Sequence, residues 1–69
     1  MEFKLNGQEY IELNVLMKLL GLVDSGGMAK MFILNGEVKV DNVIENRIRR
    51  KLRAGDKVLF QGKSVRILA

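Results

Sequence analysis

The sequence predicts an α+β fold in which two short helices pack on a small, mostly antiparallel sheet. Three observations lead there. Apolar residues recur with helical period over residues 13–20. A serine able to cap a helix opens a second apolar face over residues 25–34. From Glu37 onward, short alternating runs are separated by turn residues such as Asp41-Asn42 and Gly62.

The elements follow in order. Asn6-Gly7 tolerates the positive φ angles of a two-residue turn, so Glu2–Leu5 and Gln8–Ile11 are expected to form a hairpin. Leu13, Leu16, Met17 and Leu20 then share one helical face, with Asn14 and Lys18 opposite and Gly21 as the stop. After the apolar linker Leu22-Val23, either Asp24 or Ser25 offers an N-cap oxygen. In the second helix Met28, Ala29, Phe32 and Ile33 face inward, Lys30 projects from the flank, and Met31 and Leu34 lie half exposed outside. Gly36 ends it.

Glu37–Val40 alternates as a half-buried strand, Asp41-Asn42 turns the chain, and Val43–Glu45 returns alongside. The run from Asn46 to Arg53 is ambiguous. Ile44, Ile48 and Leu52 fit a helical spacing, Ile48, Arg50 and Leu52 a strand, and an irregular extended segment is the expectation. Ala54-Gly55-Asp56 turns into the strand Lys57–Gln61, and Gln61-Gly62-Lys63 turns into Ser64–Leu68, a closing hairpin.

Sixty-nine residues are expected to form one domain over 1–69, near the lower size for a chain that folds alone. With no Cys and no His, neither a disulfide nor a structural zinc site is expected, and no cofactor. The same absence removes the commonest general base and the most readily activated nucleophile, so an enzyme is not expected. Ser25 and Ser64 lack the context of a nucleophile elbow, and Gly26-Gly27 before Lys30 does not make a phosphate-binding Walker loop. No apolar run approaches the ~20 residues of a membrane span, and the N-terminus MEFKLNGQEY lacks a signal peptide's apolar region. A cytoplasmic monomer is the expectation, with no membrane partner.

Charge is more informative. The chain carries 12 Lys and Arg against 8 Asp and Glu, for a net +4. Residues 1–29 have a net of −2 and residues 30–69 a net of +6, so one basic face is expected. Its centre is Arg47, Arg49, Arg50, Lys51 and Arg53, whose mutual repulsion a polyanion would relieve. Four of the five are Arg, suited to bidentate phosphate recognition and to stacking on bases. Gly26 and Gly27 admit two readings: close approach of a phosphate to unpaired helix N–H groups, or tight packing of the helix corner. Phe32 and Phe60 read as core residues rather than stacking platforms.

Taken together, the chain resembles the S-four-type RNA-binding domain, or alpha-L motif, and in particular its short stand-alone bacterial members. The resemblance rests on Leu20-Gly21-Leu22, Ser25-Gly26-Gly27, Ala29-Lys30, Gly36-Glu37-Val38, Val40, Glu45, Arg47, Arg50-Lys51-Leu52 and Gly55-Asp56, and spans Tyr10 to Leu68. It implies that both helices and the following β segment present one RNA-contacting surface. Ser25, Gly26, Gly27 and Lys30 would line its helix-corner side, and Lys39, Arg47, Arg50 and Lys51 its β-side rim. Arg49 and Arg53 would add charge from the same run. Where many relatives have Arg after the serine this chain has Gly26, and the usual Asn-Gly turn is Asp41-Asn42, which puts an acid near the rim.

The function implied is non-catalytic binding of structured RNA. Ribosomal RNA is favoured over transfer RNA, with a ribosomal subunit or assembly intermediate as partner. The alternative is a protein-interaction module whose basic face meets an acidic partner. A DNA-binding factor is disfavoured, because the second helix offers only Lys30 for base readout.

Overall fold

The computed structural model describes residues 1–69. Alternation sets the larger sheet. Strands β1 (Glu2–Lys4), β3 (Val38–Val40), β4 (Val43–Ile44), β6 (Lys57–Phe60) and β7 (Lys63–Leu68) form five strands in the order β1-β7-β6-β3-β4. Every pairing is antiparallel except β1 with β7, which is parallel. Strands β2 (Ile11–Glu12) and β5 (Lys51–Leu52) form a separate antiparallel ribbon. One face of the large sheet presents Val38, Val40, Val58, Phe60, Val65 and Ile67 to the interior, all nearly inaccessible to water. Lys39, Leu59 and Arg66 stand on the other face, as the two-residue period of a strand requires.

Helices α1 (Leu13–Leu19) and α2 (Gly26–Leu34) supply the facing layer. Leu13, Leu16 and Met17 from α1, with Ala29 and Ile33 from α2, join the sheet residues, Leu5, Ile11, Val23 and Leu52 in a single 15-residue core. Phe32 meets Phe60 edge-on, with ring centroids 5.0 Å apart, tying α2 to β6. Both helices end alike. Gly21 N–H donates to the Lys18 carbonyl and Leu22 N–H to that of Met17; Gly36 and Glu37 repeat this toward Ile33 and Phe32. Each such stop needs a residue with positive φ, and Gly21 (φ 72°) and Gly36 (φ 75°) provide it. Ser25, not Asp24, is the N-cap of α2, its hydroxyl oxygen accepting from Met28 N–H at 3.2 Å. Met31 and Leu34 are exposed on the outer side, as their phase predicts.

Two expectations need correction. Asn6-Gly7 does turn the chain, with φ of 53° and 91°, but it does not close a hairpin. β1 instead lies parallel to β7, placing Phe3 beside Ile67, while Leu5 N–H donates to the Leu68 carbonyl at 2.9 Å. The six-residue β7 offers a longer ladder of backbone groups than Gln8–Ile11, and pairing with it buries Leu5 in the core. Ile11 then leaves for the second ribbon. The basic run is the other correction: it is not irregular throughout, since Ile48-Arg49 forms a turn and Lys51–Leu52 is the strand β5. Leu52 is fully buried and fixes which residues of the run face outward.

Candidate functional site

The Arg47–Arg53 segment is shaped by partners distant in sequence. Helix α1 has no side-chain N-cap, leaving N–H groups of its first turn open. The basic run satisfies two of them through its own backbone: Leu13 N–H donates to the Arg50 carbonyl at 2.9 Å and Asn14 N–H to that of Ile48 at 3.2 Å. Directly after, β5 pairs with β2, setting Leu52 opposite Ile11 and Lys51 opposite Glu12. Both apolar residues of the ribbon therefore turn inward and the cations outward. At its far end, Arg53 N–H donates to an Asp56 carboxylate oxygen at 2.8 Å, closing the Ala54-Gly55 turn.

Glu45 organises the start of the run. Its side chain is 7% exposed and receives four hydrogen bonds. Arg47 grips it as a fork, Nε to Oε2 at 3.0 Å and Nη2 to Oε1 at 3.0 Å, and adds its backbone N–H at 2.9 Å. Arg50 Nη1 reaches Oε1 at 2.6 Å. The hydrogen bond from the Arg47 side chain is the chief reason the Glu45 carboxyl lies near 2 rather than 4.5. The Arg47 backbone and Arg50 reinforce it, against the opposing cost of burial. Reciprocally, Glu45 raises the Arg47 guanidinium above its ordinary value.

Relief of repulsion within the run thus comes partly from the chain itself, which corrects the expectation that only a polyanion would supply it. The arginines are not equally available. Arg47 keeps 71% of its side chain in water although paired, Arg50 only 29%. Arg49, at the tip of the turn, is exposed and makes no ion pair. Lys51 and Arg53 lie over the ring of Tyr10, with Nζ 4.9 Å and Cζ 5.7 Å from its centroid.

At the helix corner, a Cβ built on Gly26 would meet nothing within 4 Å, and one on Gly27 only the Ser25 hydroxyl oxygen at 3.8 Å. Tight packing therefore does not account for these glycines, and the first turn of α2 stands open to an incoming group. Lys30 is exposed on the same helix. No hydrogen bond or ion pair joins this corner to the Glu45 cluster. Lys39 stands apart from both. It lies on the sheet face turned away from the core, with Ile44 and Leu59 as its cross-strand neighbours. Asp41 does not intrude on the rim as an unpaired acid; its carboxylate accepts from Lys57 N–H at 2.9 Å and ties the β3–β4 turn to the start of β6.

Sequence reasoning missed two residues. Glu45 was legible as an acid two and five positions from arginines, but only folding carries Arg50 back to it. Tyr10 has no signal in sequence, being joined to Lys51 and Arg53 by strand pairing alone. No group of His, Cys, Asp or Glu is placed to hold a metal. No helix is long and apolar enough to cross a membrane.

Comparison with known proteins gives a consistent result. A family model described as the S4 domain matches residues 3–68. The chain is 45% identical over 67 residues to a protein of Escherichia coli named "Putative RNA-binding protein YbcJ", covering 97% of this chain and 96% of that one. It is 44% identical over 54 residues to the "Probable ribosome maturation protein RlbA" of Bacillus subtilis, covering 78% and 76%. The solution structure of YbcJ, described as revealing an alfaL motif involved in RNA-binding, superposes with a TM-score of 0.75 at 44% identity. That match covers 99% of this chain and 86% of the other.

Proposed function

The chain belongs to the S4 domain family, and from that premise we propose that it is a non-catalytic protein that binds structured RNA, with ribosomal RNA as the favoured target and ribosome maturation as the process it serves. The observation that carries this reading is the Arg47–Arg53 segment. Its backbone is held at defined positions by α1 and β2, and Glu45 holds the side chains of Arg47 and Arg50, so little backbone freedom remains to be lost on binding. Phosphates are met by Arg49, Lys51 and Arg53 directly, and by the exposed flank of Arg47 while it keeps its carboxylate. The open first turn of α2, with Ser25, Gly26, Gly27 and Lys30, offers N–H groups and a further cation to the same backbone. Lys39, on the outward sheet face beside Ile44, extends the proposed surface around the edge of β4.

The maturation role rests on the names of the relatives, YbcJ for RNA and RlbA for the ribosome. It is further proposed that residues 1–69 act as one domain and as a monomer. Crosslinking in cells followed by sequencing of the attached RNA tests the whole reading. Ribosomal RNA is the expected enrichment. Recovery of transfer RNA alone would redirect the target, and recovery of no RNA above background would overturn the reading.

A further inference from the structure

Tyr10 is the only tyrosine of the chain, and there is no tryptophan. It immediately precedes β2, and extending the β2–β5 register by one residue sets it opposite Arg53, with Lys51 on the diagonal. The neighbouring pair, Ile11 and Leu52, turns into the core, so Tyr10, Lys51 and Arg53 share the outer face of the ribbon. Both cations lie within reach of the ring's π face. Beside them is an open hollow of about 570 Å³, lined by Tyr10, Gln8, Glu9, Ile11, Glu12 and Val15.

We propose that Tyr10, Lys51 and Arg53 form a nucleotide subsite in which the tyrosine ring stacks on one unpaired base while the two cations take the flanking phosphates. The subsite rests on the RNA-binding reading and adds to it a requirement for an unpaired base. Charge sets the orientation. Glu9 and Glu12 border the hollow and repel a phosphate from it, whereas Lys51 and Arg53, lying over the ring, attract one to themselves. A base carries no net charge and presents a π face, so it is the part of a nucleotide that fits the tyrosine side. In the free protein the cations rest over the ring and hold it in place. On binding, a base replaces one of them on the ring, and the displaced cation turns to the backbone phosphate. A base held within a duplex cannot enter, because its faces are already stacked on its neighbours.

Tyrosine emission of the unaltered protein reports on Tyr10 alone. Two probes are compared: an RNA hairpin with an unpaired loop, and a blunt RNA duplex of equal length and base content, which also controls for light absorbed by the RNA. Saturation with the hairpin should quench the emission strongly and saturation with the duplex should not. Anisotropy of the labelled hairpin should show Tyr10→Ala weakening binding about 5- to 100-fold with its salt dependence unchanged. Tyr10→Phe should bind nearly as the unaltered protein does, because stacking needs the ring and not the hydroxyl. Equal quenching by both probes, or a Tyr10→Ala variant that binds at full strength, would overturn the subsite. If Lys51→Ala still weakened binding in that case, RNA binding itself would stand. Failure of the unaltered protein to bind either probe would remove both.

Discussion

At the scale of single residues, Glu45 does the most to define this surface. A buried carboxylate is costly unless paired, and the fork from Arg47 with the short bond from Arg50 offsets that cost. Its depressed pKa makes it a pH-dependent support. Folding is stabilised fully above about 4.5 and loses this contribution as pH falls through about 2. The full shift corresponds to about 3 kcal/mol, and water around the exposed side of Arg47 reduces that to about 1–2 kcal/mol. Chemical denaturation at pH 7 should therefore show Glu45→Gln less stable by about that amount. Between pH 5 and 2.5 the variant should lose less stability than the parent, so that the two curves converge. Parallel curves over that window would show that Glu45 does not carry the effect.

At the scale of elements, the β2–β5 ribbon is two residues long in each strand and cannot hold itself together. It persists because Ile11 and Leu52 are anchored in the core and because the run's carbonyls occupy the open N–H groups of α1. The anchor and the cations should thus separate in mutagenesis. Leu52→Ala removes a fully buried side chain and should cost about 2–5 kcal/mol in urea titration, against a total of about 3–10 kcal/mol for a chain of this length. Lys51→Ala, one residue away and exposed, should change stability by less than about 0.5 kcal/mol. It should instead weaken RNA binding. A Lys51→Ala variant as unstable as Leu52→Ala would mean that Lys51 has a packing role the structure does not show.

At the scale of the molecule, charge is divided unevenly, and the acidic first part is not remote from the basic second part. Glu12 lies directly across from Lys51, and Glu9 and Glu12 border the hollow beside Tyr10. The acids therefore fence the basic surface on one side and narrow the paths a polyanion can take across it. If about four to five phosphates are contacted, log affinity should fall against log salt with a slope of about −3 to −4. That is about two decades of affinity lost between ~50 and ~200 mM salt. Arg49→Ala and Lys51→Ala should each flatten the slope by about one. Arg50→Ala should flatten it less, since this side chain is mostly buried against Glu45. A slope that no substitution in Arg47–Arg53 alters would place the RNA elsewhere on the protein.

Much of the fold was legible because its signals are local. The helix stops at Gly21 and Gly36, the Ser25 cap and the inward-facing valines of β3, β6 and β7 each depend on residues a few positions apart. The same is true of the turn at Asp41-Asn42, with φ of 51° and 69°. The family resemblance and the basic run were likewise readable from order and spacing. What the tertiary structure decided was every pairing between distant segments. Whether β1 joined its neighbour or β7 depended on which partner completed more backbone hydrogen bonds and buried Leu5, a comparison no short window of sequence contains. The basic run was ambiguous for the same reason: its shape is imposed by the N-terminus of α1 and by Ile11, which lies 41 residues before Leu52. Composition determined that the protein would carry a basic surface. Long-range contacts decided that two of its arginines would be held by Glu45 and that Tyr10 would lie beneath two of its cations.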